Sequence, residues 1–119
     1  MENVFLWGTG FIAKQILNES DIFYEYHILG FIDNDINKAG TSFYGKRVFS
    51  SDILYQIQPD KIIVLTDCYV DIRNQILQNF PQFSDVIEDK NYFYKQRILE
   101  RYKYSINSDI INVLKYLQK

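Results

Sequence analysis

The chain has 119 residues and a formal net charge of −2, from 13 Lys and Arg against 15 Asp and Glu. This length predicts a single domain. The near-neutral charge argues against a nucleic-acid-binding protein, which needs a basic surface to meet phosphates. The single cysteine, Cys68, excludes an internal disulfide framework, and the single histidine, His27, excludes sites that need several His ligands. We therefore expect no metal centre of the Cys/His type.

The start of the chain does not have the pattern of a secretory signal, because Met1-Glu2-Asn3 carries an acid where such signals have basic residues. No apolar stretch approaches the roughly 18 residues that a membrane-spanning helix needs. We therefore expect a cytoplasmic protein with no membrane insertion and with Cys68 as a reduced thiol.

Apolar runs bounded by turn residues alternate with segments of helical periodicity along the first half of the chain. They predict strands at Asn3–Trp7, Ile28–Ile32 and, more weakly, Lys46–Phe49, with helices at Phe11–Asn18 and Asp52–Gln56 and a polar loop over residues 34–45. Ser50 or Ser51 is expected to cap the second helix through its hydroxyl.

The second half of the chain continues this alternation and then becomes helical. It predicts strands at Lys61–Thr66 and Ser84–Glu88 and helices at Tyr69–Asn79, Asn91–Tyr102 and Ser108–Gln118. Strands separated by helices pair in parallel through right-handed crossovers. The predicted fold is α/β: a three-layer, doubly wound, Rossmann-like parallel sheet of about five strands, ordered near 3-2-1-4-5, with two C-terminal helices. We expect residues 1–90 to form the binding domain and residues 91–119 a helical extension that packs on this domain or links it to a partner domain.

The motif that carries chemistry is Gly8-Thr9-Gly10-Phe11-Ile12-Ala13, which fits G-x-G-x-x-A between a predicted strand and a predicted helix. The first glycine suits a tight turn, the second leaves room for a phosphate, and Ala13 allows close helix packing. The free N–H groups at the start of the helix favour a pyrophosphate. Gly8 to Ala13, including Phe11 and Ile12, are therefore the candidate diphosphate site.

Asp33 lies 23 residues after Gly10, at the end of the second predicted strand. An acid at this position can accept hydrogen bonds from ribose hydroxyls, and its charge disfavours a 2′-phosphate, so that NAD is favoured over NADP. Residues from Thr66, at the end of the fourth predicted strand, to Tyr69 are expected to border the ligand. The alternative is that the glycines only form a tight strand-to-helix turn, in a nucleotide-binding fold that has lost its ligand.

Three segments, VFLWGTGFIAKQIL, ILGFIDNDINKAGTSFYGKRVFSSDIL and DKIIVLTDCYVDIRNQI, resemble the Rossmann-like module of bacterial surface-polysaccharide proteins. That module precedes capsule-type nucleotide-sugar dehydratase or epimerase domains, some sugar acetyltransferases and FkbM-type methyltransferases. The resemblance covers about residues 3–80. It implies binding of NAD or a UDP-linked sugar at these matching positions: Gly8, Thr9, Gly10, Asp33, Asn34, Thr66 and Asp67.

Catalytic patterns are weak in the sequence. None of the ten Tyr has a Lys four residues later, which argues against an autonomous short-chain epimerase or dehydratase. Asp33-Asn34-Asp35 matches D-x-D, a metal-binding pattern of glycosyltransferases, but is also ordinary turn chemistry. Cys68 and His27 could form a nucleophile and base, yet no third group is evident. We predict no catalytic residue and no metal ligand.

The leading hypothesis is a non-catalytic module of polysaccharide metabolism that binds NAD or a UDP-sugar. One alternative is the N-terminal fragment of a sugar-modifying enzyme, either an FkbM-type methyltransferase or a nucleotide-sugar dehydratase or epimerase. Another is a ligand-free module that mediates dimerisation or docking. The expected partners are a small-molecule nucleotide and either a second copy of the chain or a covalently linked catalytic domain.

Overall fold

A six-stranded sheet forms the centre of the computed structural model, which describes residues 1–91. The strands are β1 (Asn3–Trp7), β2 (His27–Ile32), β3 (Ser42–Phe43), β4 (Lys46–Phe49), β5 (Lys61–Val64) and β6 (Ile87–Asp89), in the spatial order β3-β4-β2-β1-β5-β6. All neighbouring pairs are parallel except β3 and β4. With the edge strand β3 set aside, this is the predicted 3-2-1-4-5 order, and the Rossmann-like fold class is confirmed.

Three α-helices accompany the sheet within the described residues: α1 (Phe11–Glu19), α2 (Ile22–Glu25) and α3 (Tyr69–Asn79). Short 3-10 helices occupy Ile36–Lys38, Ser51–Tyr55 and Pro81–Phe83. Among residues 1–91, no helix combines the length and the apolar character that a membrane crossing requires.

Strand β1 is buried on both faces and divides the core into two. Val4 and Leu6 belong to the core beneath α1 and α2, whereas Phe5 and Trp7 belong to the core beneath α3. Alternate side chains of a strand point to opposite faces, so a continuous apolar run is what a central parallel strand requires. The predicted three-layer arrangement is therefore confirmed.

Residues 34–45 are more ordered than the loop that their polarity predicts. The chain forms a 3-10 helix and then a hairpin between β3 and β4, turning at Tyr44 and Gly45, both of which have positive φ, 49° and 76°. Phe43 packs edge-on against Phe31, with 4.9 Å between ring centroids. The Tyr44 hydroxyl donates a hydrogen bond to the side-chain oxygen of Asn18, at 2.6 Å. These contacts are distant in sequence, and hydrophobic periodicity does not reveal them.

Other boundaries also differ from the prediction. The expected helix over residues 52–56 is a 3-10 helix at Ser51–Tyr55, and Ser50 stands at its N-cap without a side-chain capping bond. The last described strand begins at Ile87 rather than Ser84, because the 3-10 helix Pro81–Phe83 and the turn after it take up the preceding residues. Apart from Asn91, the two predicted C-terminal helices lie outside the described residues.

Candidate functional site

Strands β1, β2 and β5 end at the same edge of the sheet, called here the carboxyl edge. Trp7 pairs with Ile32 of β2 on one side and with Val64 of β5 on the other. The segments that follow these three strands therefore start side by side. They contain all the residues that the sequence predicts for a nucleotide site, at the point where the order of the strands reverses.

Gly8 makes the turn from β1 towards α1 in a conformation that other residues rarely adopt, with φ of +116°. A Cβ atom built at this position would lie 2.6 Å from Cγ2 of Thr66 and 3.3 Å from the carbonyl oxygen of Leu65. The turn is therefore packed directly against the end of β5. The predicted role of Gly8 in a tight turn follows from both its backbone angle and its surroundings.

Gly10 precedes α1 and has a different environment. Its backbone angles, φ −92° and ψ −160°, are available to any residue, and a Cβ atom there would meet nothing within 4 Å. The fold of residues 1–91 therefore gives no steric or conformational reason for a glycine at this position. The open space beside Gly10 is where a phosphate could approach the backbone closely.

The first turn of α1 supplies hydrogen-bond donors to that space. The first intrahelical bond runs from the N–H of Lys14 to the carbonyl of Gly10, at 3.1 Å. The N–H groups before Lys14 in the helix have no intrahelical acceptor, as at the start of any α-helix. Gly10 offers no side-chain cap, and the first turn contains no acidic residue. The helix start is thus suited to an anion.

Thr9 and Asp33 bind each other, although the sequence predicts that both contact a ligand. The Thr9 N–H and hydroxyl both donate to Oδ2 of Asp33, at 3.1 and 2.6 Å. Thr9 is 6% exposed and is a buried polar residue of the described chain. The pair ties the β1–α1 turn to the end of β2 and fixes the orientation of the carboxylate.

The carboxyl group of Asp33 remains ionised to low pH. Burial alone would raise its pKa, but hydrogen bonds from Thr9 and from the N–H of Asp35, together with the charge of Lys38, outweigh burial and hold the pKa below its ordinary value. The ammonium of Lys38 lies 3.8 Å from Oδ2. This cation offsets part of the negative charge of the Asp33 carboxylate.

Few lone pairs remain on Asp33 for a ribose. A carboxylate has about four acceptor sites on its two oxygens. Oδ2 accepts both bonds from Thr9, and Oδ1 accepts the N–H of Asp35 at 2.8 Å. This arrangement leaves room for about one further hydrogen bond on Oδ1. The number of acceptor sites therefore allows one ribose hydroxyl to donate a hydrogen bond to Asp33.

Asn34 joins the end of β2 to helix α3. Its side-chain N–H donates to Oε1 of Gln75 at 2.8 Å, and the side-chain N–H of Gln75 donates back to Oδ1 of Asn34 at 2.9 Å. Each amide still has one N–H and one lone pair to offer. The pair braces the segment after β2 against the helix that follows β5.

The residues after β5 are less closely associated with the turn. Thr66 contacts Gly8 through its methyl group, as described above, and its hydroxyl accepts the N–H of Cys68 at 3.2 Å. Asp67 is exposed and lies 3.5 Å from the ammonium of Lys90. Tyr69 donates its hydroxyl to the carbonyl of Ile87, at 3.3 Å. Of these predicted site residues, the structure brings only Thr66 into contact with the glycine turn.

Phe11 and Ile12 open helix α1 and differ in their surroundings. Ile12 is half-buried against the core beneath the helix. Phe11 is 74% exposed. The backbone of both residues belongs to the candidate diphosphate site, whereas the side chain of Phe11 is free to meet a ligand or solvent.

The Cys68 and His27 pair and the Asp33-Asn34-Asp35 pattern do not form a catalytic or metal centre in the described residues. His27 begins β2 and therefore lies at the opposite edge of the sheet from Cys68, which is exposed after β5. The carboxylate of Asp35 accepts the N–H of Asn37 at 3.0 Å, as in an ordinary turn. Within residues 1–91, no group of three or more His, Cys, Asp or Glu residues could hold a metal ion.

Sequence reasoning missed two residues of this region, Lys38 and Gln75. Lys38 ends the 3-10 helix Ile36–Lys38, which returns it towards Asp33. Gln75 lies on α3, 41 residues after its partner Asn34. An Asp before the segment Ile36–Lys38 indicates a capped turn, but nothing in the sequence indicates the partner of Gln75.

Comparison with known proteins agrees with the fold. The family described as C2185-like, N-terminal, matches residues 1–82. The crystal structure of UDP-D-quinovosamine 4-dehydrogenase from Vibrio fischeri superposes with a TM-score of 0.52 at 16% identity, over 74% of this chain and 75% of that one. The structure of RSP in complex with β-NAD+ and operator DNA gives a TM-score of 0.54 at 13% identity, over 98% of this chain but only 61% of that one. No curated protein matches the sequence.

Proposed function

The chain belongs to the C2185-like N-terminal family, and we propose that it is a nucleotide-binding module whose β1–α1 turn holds the diphosphate of NAD or of a UDP-sugar. The observation that carries this proposal is the open space at Gly10, where the fold gives no steric or conformational reason for a glycine and a helix presents free N–H groups. A phosphate that approaches the backbone closely supplies that reason.

The ligand's remaining contacts follow from the carboxyl edge. Oδ1 of Asp33 accepts a hydrogen bond from one ribose hydroxyl. Thr66 borders the turn on the side of β5. The hydrogen-bonded amides of Asn34, next to Asp33 in the chain, and of Gln75 are the groups that we assign to the base of the nucleotide. Both candidate ligands place a diphosphate at the same helix, so the turn itself does not distinguish between them.

Two solved structures of similar fold support this class of ligand. One is an enzyme named for a UDP-sugar and the other was determined with NAD+. We further propose a role in sugar-nucleotide metabolism, which the resemblance to modules of surface-polysaccharide proteins supports. We assign no catalytic residue, and we propose that residues 1–90 bind the nucleotide while residues 91–119 connect to a catalytic domain or to a second copy.

The test is a thermal-shift panel with NAD+, UDP-GlcNAc and S-adenosylmethionine, the last as a nucleoside without a diphosphate. A ligand at 100 times its dissociation constant adds about 2.7 kcal/mol to stability. For a chain of this length, that increment raises Tm by about 8–15 °C. We expect a rise with NAD+ or UDP-GlcNAc and none with S-adenosylmethionine.

The variant Gly10→Val assigns the effect to the turn. Valine fits the backbone angles of residue 10, and its side chain occupies the space proposed for the phosphate. We expect the thermal shift to disappear in this variant and to persist in Gln15→Val, which places the same side chain at an exposed position of α1. An equal shift in both variants, or flat curves with both diphosphates, would contradict the proposal.

A further inference from the structure

An open cavity lies at the opposite edge of the sheet from the glycine turn, where β1 and β2 begin. Its volume is about 480 Å³, within the range of about 300–1,000 Å³ that small-molecule pockets occupy. Phe23 and Tyr26 line it from α2 and the turn after it, together with Ile28 of β2. The strands separate this cavity from the glycine turn, so the nucleotide proposal does not account for it.

Tyr26, on the aromatic side of the cavity, also lies close to a paired lysine. The ammonium of Lys61 lies 5.3 Å from the centroid of the Tyr26 ring and is itself paired with Glu88 at 2.9 Å and Glu2 at 3.6 Å. Burial raises the pKa of the Tyr26 hydroxyl, so this group stays protonated at neutral pH. Tyr26 therefore contributes an uncharged side chain to the lining of the cavity.

The polar side of the cavity contains Asn3, His27 and Lys46. The Nδ1 atom of His27 lies 2.7 Å from Oδ1 of Asn3, and this hydrogen bond fixes the orientation of the imidazole. Lys46 begins β4, and within residues 1–91 it takes part in none of the ion pairs. An ammonium without a carboxylate partner, beside aromatic side chains, complements an aromatic ring that carries an anionic group.

We propose that this cavity binds a small aromatic carboxylate, with its ring against Phe23 and Tyr26 and its carboxylate at Lys46. Aromatic walls favour a planar ring over an aliphatic chain of the same size. The ammonium of Lys46 matches the carboxylate of such a ligand. A neutral aromatic compound would leave Lys46 without a partner.

The probe is benzoate, titrated into the whole chain and followed by 1H–15N NMR. A ligand of this size is expected to bind with a dissociation constant on the order of 1–10 mM. We expect the amide signals of His27, Ile28 and Lys46 to shift with benzoate, and to shift much less with benzyl alcohol or cyclohexanecarboxylate. The absence of shifts at these amides, or equal shifts with all three compounds, would overturn the proposal.

The variant Lys46→Met removes the charge and keeps most of the side chain. Loss of one charged contact is expected to weaken benzoate binding about tenfold, whereas Lys14→Met, at an exposed lysine of α1, leaves it unchanged. Equal weakening in both variants would indicate nonspecific attraction and would overturn the proposal. Because the cavity is remote from Gly10, Gly10→Val retains benzoate binding, which separates this result from the test of the nucleotide site.

Discussion

Replacing each of the two motif glycines, Gly8 and Gly10, by alanine distinguishes a glycine that the fold requires from one that a ligand requires. At Gly8, the new Cβ atom lies 2.6 Å from Cγ2 of Thr66, and the φ of +116° is unfavourable for an L-residue. At Gly10, the Cβ atom enters open space and the backbone angles are ordinary. We expect Gly8→Ala to be strongly destabilising and Gly10→Ala to have little effect on stability.

The magnitudes follow from separate contributions. Residues held in an unfavourable backbone region cost about 1–3 kcal/mol, and an overpacked contact costs about 1–3 kcal/mol more. Rotation of the Thr66 side chain relieves part of the second cost, so Gly8→Ala is expected to lose about 2–4 kcal/mol. For Gly10→Ala, reduced entropy of the unfolded chain gains about 0.4–1 kcal/mol, and a poorer N-cap loses up to about 1 kcal/mol.

Urea unfolding measures both variants, with the fluorescence of Trp7 as the probe. Trp7 is the single Trp of the chain and is 2% exposed, so its emission reports on the loss of the core. We expect the unfolding midpoint of Gly8→Ala to fall well below that of the wild type, with Gly10→Ala close to the wild type. Equal midpoints for the two variants would refute the distinction drawn between the two glycines.

Two further predictions concern the end of β2. Asp33→Asn is expected to cost about 1.5–3 kcal/mol at neutral pH, because it removes a charged acceptor from Thr9. The lowered pKa of Asp33 means that its contribution is complete above the ordinary value of 3.8 and is lost as the pH falls through the folded-state pKa. Acid titrations of stability should therefore be flatter in Asp33→Asn, and parallel curves would contradict this reasoning. A double-mutant cycle of Asn34→Ala and Gln75→Ala is expected to give a coupling energy of about 0.5–1.5 kcal/mol, whereas additive effects in urea unfolding would show that the amide pair contributes nothing.

The central elements could be predicted from the sequence because their signals are local. The apolar run Asn3–Trp7 and the periodic segment Tyr69–Asn79 have the boundaries that the pattern indicates. Alternation of strands and helices then restricts the order of the sheet. The short helix α2 and the hairpin from β3 to β4 were missed, since each depends on packing against distant residues. Tyr44, with a φ of 49°, is an unusual residue for a tight turn, and its bond to Asn18 gives no sequence signal.

The candidate site likewise contains some residues that local sequence patterns indicate and others whose contacts depend on the folded sheet. The motif located Gly8 and Gly10, and the spacing located Asp33. The sequence could not indicate that Thr9 uses its N–H and hydroxyl to bind Asp33, because that bond exists only once β1 and β2 are paired. It also could not indicate that Tyr69 donates its hydroxyl to Ile87, which directs that group towards β6.

The most direct test of the account is a 1H–15N NMR titration of the chain with NAD+ and, separately, with UDP-GlcNAc, observing the backbone amides from Gly10 to Ala13. The account predicts that one of these diphosphates shifts the signals of these amides, as new hydrogen bonds form at the start of α1, and that the same titration of Gly10→Val leaves them unchanged. Saturation with both compounds without movement of these amides would contradict the account.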